Sequence, residues 1–211
     1  MNRSGMGKLI SFEGVDGSGK STQISLLEKR LKSEGYFCRV FREPGGTELS
    51  EKIREILLHY KGEIDPVAET LLFSSARAQI ISEKVRPLLE TDTIVVLDRY
   101  FDSTTAYQGF AREALSFDDL KIINRIATHG ITPDLTIYLR LKFDEALPRI
   151  SKNKDRMEKA GVEFYHKVIE GFDHLAENES RFRTISAKPP KNEVHEQIWT
   201  AFSDLMNQMD N

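Results

Sequence analysis

Residues 8–22 of the chain read KLISFEGVDGSGKST, an apolar run followed by a glycine-rich segment and the start of a helical pattern. Within it, residues 14–21 satisfy the pattern G-x-x-x-x-G-K-[ST]. Glycines let successive backbone N–H groups wrap a phosphate, and the N-terminus of the following helix adds partial positive charge. The segment therefore predicts a nucleoside triphosphate site; the alternative is a glycine-rich turn before an ordinary helix.

Two residue types in this region predict how a triphosphate and its metal are held. Lys20 is expected to reach the β- and γ-phosphates, and the Ser21 hydroxyl is expected to ligate Mg²⁺. A second expected Mg²⁺ ligand is Asp98, which follows the apolar strand-like run 93–97; the alternative for Asp98 is a capping residue. The predicted triphosphate-binding residues are Gly14, Val15, Asp16, Gly17, Ser18, Gly19, Lys20, Ser21 and Thr22.

The residue after Asp98 narrows the class of reaction. It is Arg99, whereas motor and pump ATPases usually carry a second acid there to activate water. An arginine suits the clamping of another phosphate group, which favours a phosphorylated acceptor over water. The chain contains no Asn-Lys-x-Asp segment, so a GTPase is disfavoured.

Strand-like and helical patterns alternate along the chain. Apolar or alternating runs at 9–12, 37–41, 93–97, 135–139 and 182–185 predict strands. Helical spacing predicts helices at 21–34, 48–59, 118–129 and 194–209, and a long helix that begins at Asp65–Pro66 and runs towards Val85. This order predicts an α/β fold with about five parallel strands flanked by helices, in a single domain over 1–211.

Composition excludes several classes of protein. Lys plus Arg number 30 and Asp plus Glu 33, a net charge of −3 that argues against a dedicated nucleic-acid binder. No apolar run approaches the roughly 18 residues of a membrane span. The one cysteine, Cys38, excludes an intramolecular disulfide framework and a multi-cysteine metal site. We expect a cytoplasmic globular protein with no nucleic-acid or membrane partner.

Six segments together resemble the thymidylate kinases, in the family's order and over most of the chain. They are 12–22 (FEGVDGSGKST), 42–47 (REPGGT), 71–79 (LLFSSARAQ), 98–109 (DRYFDSTTAYQG), 132–136 (TPDLT) and 155–158 (DRME). The resemblance implies a P-loop nucleoside monophosphate kinase-like fold with a mobile lid. It also implies transfer of a phosphoryl group from ATP to dTMP with Mg²⁺, and a homodimer whose interface includes the long helix.

The resemblance also assigns roles in the acceptor site. Phe73 would stack on the thymine ring and Arg77 would hydrogen-bond a thymine carbonyl. Arg99 would hold the monophosphate, Asp16 would meet the sugar 3′-hydroxyl, and Tyr107 would crowd a 2′-hydroxyl. The other implied pocket residues are Glu43, Pro44, Ser103, Thr104 and Gln108. Taken alone, Phe73 could be a core residue and Arg77 a partner in a surface salt bridge.

The source of a further cationic group divides the family. One branch carries an arginine in the phosphate loop, where this chain has Gly17; the other, mainly bacterial, supplies basic residues from the lid. This chain resembles the second branch, with the lid at about 149–160. Beside Lys20 and Arg99, the expected catalytic residues are Arg149 and then Arg156 of the lid, with Lys152 and Lys154 between them. The alternative is a solvated charged loop.

The sequence therefore predicts an ATP- and Mg²⁺-dependent dTMP kinase. The nearest alternative is a kinase for another nucleoside monophosphate, because the phosphate machinery would be shared. A non-catalytic ATP-binding module is a second alternative. Against it, Lys20, Ser21, Asp98 and Arg99 are all present.

Overall fold

A five-stranded parallel sheet forms the centre of the molecule. The computed structural model describes residues 7–149 and 161–207. The strands are β1 (Lys8–Glu13), β2 (Cys38–Arg42), β3 (Ile94–Asp98), β4 (Leu135–Arg140) and β5 (Phe182–Ser186), in the order β2-β3-β1-β4-β5. Every neighbouring pair is parallel. The predicted α/β class and strand number are confirmed.

The central strand β1 sets the position of the glycine-rich loop. All six of its residues are buried, as expected for a strand covered by helices on both faces. Its register pairs Phe12 with Asp98 of β3, and Glu13 with Tyr138 of β4. Because parallel strands end at the same edge, the loop that begins at Gly14 lies beside the end of β3.

Helices cover both faces of the sheet. They are α1 (Lys20–Ser33), α2 (Glu48–His59), α3 (Pro66–Ile80), α4 (Arg86–Leu89), α5 (Phe101–Thr104), α6 (Phe117–Ala127), α7 (Phe143–Ala146), α8 (Val162–Asn178) and α9 (Lys191–Asn207). A π-helical segment, Ile81–Val85, joins α3 to α4, and a second one, Thr105–Ala111, continues α5. Within the described part of the chain, no helix combines the length and apolar character needed to cross a membrane.

The start of α3 agrees with the sequence pattern. The Asp65 side chain accepts hydrogen bonds from the backbone N–H groups of Val67 and Ala68, with Pro66 as the first helical residue of α3. The path of this helix runs beyond the predicted end near Val85, through the π-helical segment and α4 to Leu89.

Helix α8 is absent from the predicted elements, although its sequence carries a helical signal. Phe164, Tyr165, Val168 and Phe172 recur at helical spacing and are all buried. Their apolar face packs against the π-helical segment Thr105–Ala111, where the Tyr107 ring meets the rings of three of these residues. Helix α8 therefore supports the segment that carries several predicted pocket residues.

The close approach of α8 to that segment depends on Gly171. A Cβ at this position would lie 2.9 Å from the Phe110 ring and 3.0 Å from the Cα of Ala106. We expect Gly171→Ala to lower the free energy of unfolding by about 1–3 kcal/mol, because the added methyl overpacks the contact. Helix propensity alone predicts a gain of about 1 kcal/mol.

Urea unfolding checks this expectation. The matched control is Glu170→Ala, a change at the exposed neighbouring position of the same helix, which should stay near wild-type stability. A Gly171→Ala protein at least as stable as wild type would contradict the close packing.

Candidate active site

A cleft of about 710 Å³ lies at the carboxyl edge of the sheet. Seven of the nine predicted triphosphate-binding residues line it, namely Asp16, Gly17, Ser18, Gly19, Lys20, Ser21 and Thr22. The other two, Gly14 and Val15, are absent from its lining, and Val15 is buried in the core. Gly14, Gly17 and Gly19 have positive φ, the conformation that glycine adopts at little cost.

Lys20 is held at the base of this loop. Its buried ammonium group donates hydrogen bonds to the carbonyl oxygens of Gly14 at 2.9 Å and Val15 at 3.1 Å. Burial, followed by the nearby Arg99 charge, lowers the pKa of Lys20 to about 8. An anion in the cleft would oppose this shift, because negative charge favours the protonated ammonium.

The two predicted Mg²⁺ ligands lie together. The Ser21 hydroxyl donates a hydrogen bond to an Asp98 carboxylate oxygen at 3.3 Å. Ser21 is in the first turn of α1 and Asp98 ends β3, so the parallel register brings two residues 77 positions apart to one point.

Arg99 lies between the glycine-rich loop and a second cavity. Its backbone N–H donates to the Phe12 carbonyl oxygen at 3.0 Å, although its φ of 73° is unusual for a residue with a side chain. Its guanidinium donates to the Gly14 carbonyl oxygen at 3.0 Å, to Asp16 Oδ1 at 2.7 Å and to Ser103 Oγ at 3.2 Å. These contacts hold a cationic group where the two spaces meet.

The second cavity, of about 120 Å³, gathers all ten predicted acceptor-site residues. These are Asp16, Glu43, Pro44, Phe73, Arg77, Arg99, Ser103, Thr104, Tyr107 and Gln108. They come from four of the six segments named in the sequence analysis, and four of the cavity-lining residues also line the larger cleft: Asp16, Glu43, Arg54 and Arg99.

Arg77 is a buried residue, so the alternative of a surface salt bridge is wrong. Its side chain is 2 % exposed, and Nε donates to Glu43 Oε2 at 2.7 Å. Its terminal nitrogens donate to Thr104 Oγ1 at 2.9 Å and to the Tyr100 carbonyl oxygen at 3.2 Å. Burial raises the pKa of Glu43 while the Arg77 charge opposes the rise. The pair fixes Arg77 against the cavity wall.

Two cavity residues, Arg54 and Leu58 on α2, are missing from the site predicted from the sequence. The Arg54 guanidinium donates to the Pro44 carbonyl oxygen at 2.9 Å. A signal was available in the sequence, because α2 begins directly after the 42–47 segment that the resemblance places at the pocket. A residue two turns into this helix lies on the same side as the helix start, so Arg54 could have been expected at the pocket.

A third missed residue is Glu13, a buried acid at the end of β1. It accepts hydrogen bonds from the Tyr100 backbone N–H at 2.8 Å and from Ser103 Oγ at 2.6 Å. Burial, followed by the nearby Asp102 charge, raises the pKa of Glu13 to about 8. Glu13 thus ties the end of β1 to the turn that carries Arg99.

Arg149 is the one predicted catalytic lid residue within the described part of the chain. It lines the large cleft, and its guanidinium donates to the Ala187 carbonyl oxygen at 3.4 Å. Arg156, Lys152 and Lys154 lie outside the described residues.

Comparisons with known proteins give a consistent result. A family model described as thymidylate kinase matches residues 12–198. A thymidylate kinase of Caldanaerobacter subterraneus subsp. tengcongensis is 45% identical over 202 residues, which cover 95% of this chain and 97% of the relative. A thymidylate kinase of Chlorobium luteolum is 48% identical over 199 residues, or 89% and 92% of the two chains. One of Chlorobaculum tepidum is 44% identical over 209 residues, or 93% and 97%.

The raised pKa of Glu13 predicts a pH-dependent contribution to stability. Between about pH 4.5 and 8, folded Glu13 keeps a proton that the unfolded chain has lost. The contribution of Glu13 is therefore favourable at low pH and is lost as the pH rises through this window. The unfolding free energy of the wild type should therefore fall between about pH 6 and 8. We expect this fall to be smaller by about 1–3 kcal/mol in Glu13→Gln.

Urea unfolding at both pH values measures the effect. Glu34→Gln, at an exposed acid in the loop after α1, is the control and should keep the wild-type pH dependence. If Glu13→Gln and wild type decline equally, Glu13 does not titrate in this window.

Proposed function

Because the chain belongs to the thymidylate kinase family and phosphorylates dTMP to dTDP with ATP, we propose that the large cleft holds ATP and the smaller cavity holds dTMP. The observation that carries this assignment is the gathering of all ten predicted acceptor residues around one cavity. Asp16 and Arg99 line both spaces. That arrangement suits a reaction in which the donor and acceptor phosphates meet.

Ser21 and Asp98 would hold Mg²⁺ in this arrangement. Their side chains offer two hard oxygen donors 3.3 Å apart, the donor type that Mg²⁺ prefers. Among the described residues there is no group of three or more His, Cys, Asp or Glu that could hold a metal. Nucleotide phosphate oxygens and water would complete the coordination of such an ion. Such an ion would neutralise charge on the phosphates.

The phosphate loop supplies the donor side of the proposed site. Backbone N–H groups of the loop and the start of α1 would surround the ATP phosphates. Lys20 would turn from the Gly14 and Val15 carbonyl oxygens towards the β- and γ-phosphates, and bound phosphate would raise its lowered pKa. Arg149, which lines the cleft, would contact the γ-phosphate. The role of Arg156 stays a prediction.

The acceptor side would recognise the base by its shape and its hydrogen bonds. Phe73 would stack on the thymine ring. Arg77 would donate to a ring carbonyl, held by its bonds to Glu43, Thr104 and the Tyr100 carbonyl oxygen. A guanidinium held by three partners loses little freedom when it binds a ligand, which favours specific recognition.

The sugar and phosphate of dTMP would lie towards the larger cleft. Asp16 would meet the 3′-hydroxyl, and the buried Tyr107 ring would exclude a 2′-hydroxyl. Arg99, joined by Arg54, would hold the acceptor phosphate. Phosphoryl transfer needs positioning and charge neutralisation more than covalent chemistry from the protein. Arg99, Lys20 and Mg²⁺ would supply that positive field. Residues 150–160 of the predicted lid lie outside the described residues.

A homodimer is part of the same proposal. Helix α3 packs against both α2 and α6, and these three helices carry exposed apolar side chains. They are Leu49, Ile56, Val67, Leu71, Phe117, Ile122 and Ile126. Several exposed apolar residues on adjoining helices are typical of a surface that a protein partner covers. The proposed partner is a second copy of the chain.

A cytoplasmic location also remains a proposal. Cys38 is buried and free, and burial raises its pKa to about 11. An unreactive lone thiol fits a reducing compartment, where disulfides are rare.

The assignment of Arg99 can be tested by Arg99→Lys. Lysine keeps the charge but loses the fork that bonds several oxygens at once. We expect kcat/KM for dTMP to fall by about 10²–10³-fold, because the acceptor phosphate is no longer held in line. The KM for ATP should change by less than about threefold, because the phosphate loop is intact.

ADP release at varied dTMP and varied ATP measures both effects, with dUMP, dCMP, AMP and GMP as alternative acceptors. Arg39→Lys, at an exposed arginine of β2, is the matched control and should behave as wild type. Equal losses for both substrates would contradict an acceptor-side role for Arg99.

The proposed dimer can be tested at Ile126, which is 66% exposed on α6. We expect Ile126→Arg to shift the protein to monomers, because a buried unpaired charge is costly at an interface. Light scattering coupled to size-exclusion chromatography gives the mass. Phe37→Arg, at a 77% exposed apolar residue before β2, is the control and should stay dimeric. A wild-type protein that runs as a monomer would exclude the dimer.

A further inference from the structure

A further buried acid lies behind the base end of the proposed dTMP cavity. Glu69, in the first turn of α3, has a side chain that is 1% exposed. Its Oε1 accepts a hydrogen bond from the amide nitrogen of Gln108 at 2.9 Å and lies 3.6 Å from Nε of Arg112. Burying a carboxylate is unfavourable without such partners. Glu69 is not among the site residues predicted from the sequence.

The contact determines which way the Gln108 amide faces. Carboxylate oxygens accept hydrogen bonds, whereas a glutamine side chain offers both a donor nitrogen and an acceptor oxygen. The nitrogen must therefore face Glu69, and the carbonyl oxygen must face away from it. Among the described residues, none donates a hydrogen bond to that carbonyl oxygen, and Gln108 lines the cavity. The acceptor atom is thus left for a ligand.

The charge of Arg112 holds the Glu69 carboxylate in place. Its guanidinium also lies 4.7 Å from the centre of the Phe164 ring on α8, so the acid is tied to a packed part of the fold. Because Arg112 fixes the Glu69 carboxylate, Glu69 keeps its hydrogen bond to the Gln108 amide nitrogen.

A fixed carbonyl oxygen distinguishes two classes of pyrimidine. Thymine and uracil present an N3–H donor, whereas cytosine presents an N3 lone pair. A carbonyl oxygen facing N3 attracts the first and repels the second. On the premise that the cavity binds dTMP, we infer that Glu69 is a positioning residue. It holds the Gln108 carbonyl towards the base and so selects an N3–H over an N3 lone pair.

The test compares kcat/KM for dTMP, dUMP and dCMP in full-length wild type and Glu69→Met. Methionine keeps the approximate volume but offers no acceptor that holds the amide nitrogen. We expect the dTMP-to-dCMP ratio to fall about tenfold or more, as for the loss of one buried hydrogen bond. The dTMP-to-dUMP ratio should change by less than about twofold, because both bases carry N3–H. A merely structural role would lower all three activities together and leave both ratios unchanged.

Two further variants keep the test decisive. Glu69→Gln retains an acceptor oxygen that Arg112 holds in place, and it should retain most of the discrimination. Alanine favours the helix and leaves space for water in place of the carboxylate. Glu69→Ala should therefore lower the dTMP-to-dCMP ratio as Glu69→Met does. Circular dichroism melting identifies the variants that fold. The inference is wrong if Glu69→Gln loses the preference for dTMP over dCMP while Glu69→Ala keeps it.

The surface of the protein offers a matched control pair. The Gln79 amide nitrogen donates to Glu83 Oε2 at 3.0 Å, and the Glu83 side chain is 41% exposed. Glu83→Met makes the same chemical change outside the cavity and should leave every ratio at the wild-type value.

Gln108→Met separates this inference from the proposed function. If Gln108→Met leaves the dTMP-to-dCMP ratio unchanged, the base does not meet Gln108, and both the pocket assignment and the inference fail. If Gln108→Met narrows the ratio but Glu69→Met does not, only the inference fails. In the Gln108→Met background, Glu69→Met should change the ratio by less than about twofold, because both substitutions remove the same interaction.

Discussion

The parallel register between β1 and β3 is the constraint on which the site depends. It pairs Phe12 with Asp98, so the glycine-rich loop leaves the sheet beside the carboxylate and the arginine that follow β3. The pairing continues one residue beyond the strand, where the Arg99 backbone N–H bonds to the Phe12 carbonyl oxygen. From this point Arg99 reaches both the loop and the acceptor cavity. A shift of one residue would turn the side chains of a strand to the opposite face of the sheet.

Buried acids with defined partners surround the proposed acceptor cavity. Arg77 pairs with Glu43, Gln108 bonds to Glu69, and Glu13 bonds to the turn that carries Arg99. Such groups stabilise a fold poorly, because removing a polar or charged group from water is unfavourable. Their benefit here is orientation, since each one holds a side chain that faces the proposed substrate. Helix α8 supports the same wall through its aromatic contacts with Tyr107.

Much of the fold could be predicted because its signals are local. The positions of the five strands along the chain and the start of α3 at Asp65–Pro66 follow from apolar periodicity and from capping chemistry. Helix α8 was missed although its apolar residues recur at helical spacing. Arg54 and Glu13 were missed because charged residues in a helix or at a strand end are usually solvated. Their roles became visible only with the cavity that they adjoin.

The amino-acid sequence alone was sufficient for the α/β class and the choice of dTMP as acceptor, because these depend on residue types at short spacing and on motifs in a characteristic order. The tertiary structure was needed to show that Arg77 is buried against Glu43, that Arg99 lines two cavities, and that Glu69 accepts a hydrogen bond from the Gln108 amide. Each of these contacts joins residues that are 30 or more positions apart. Only packing sets the distance and direction of such contacts.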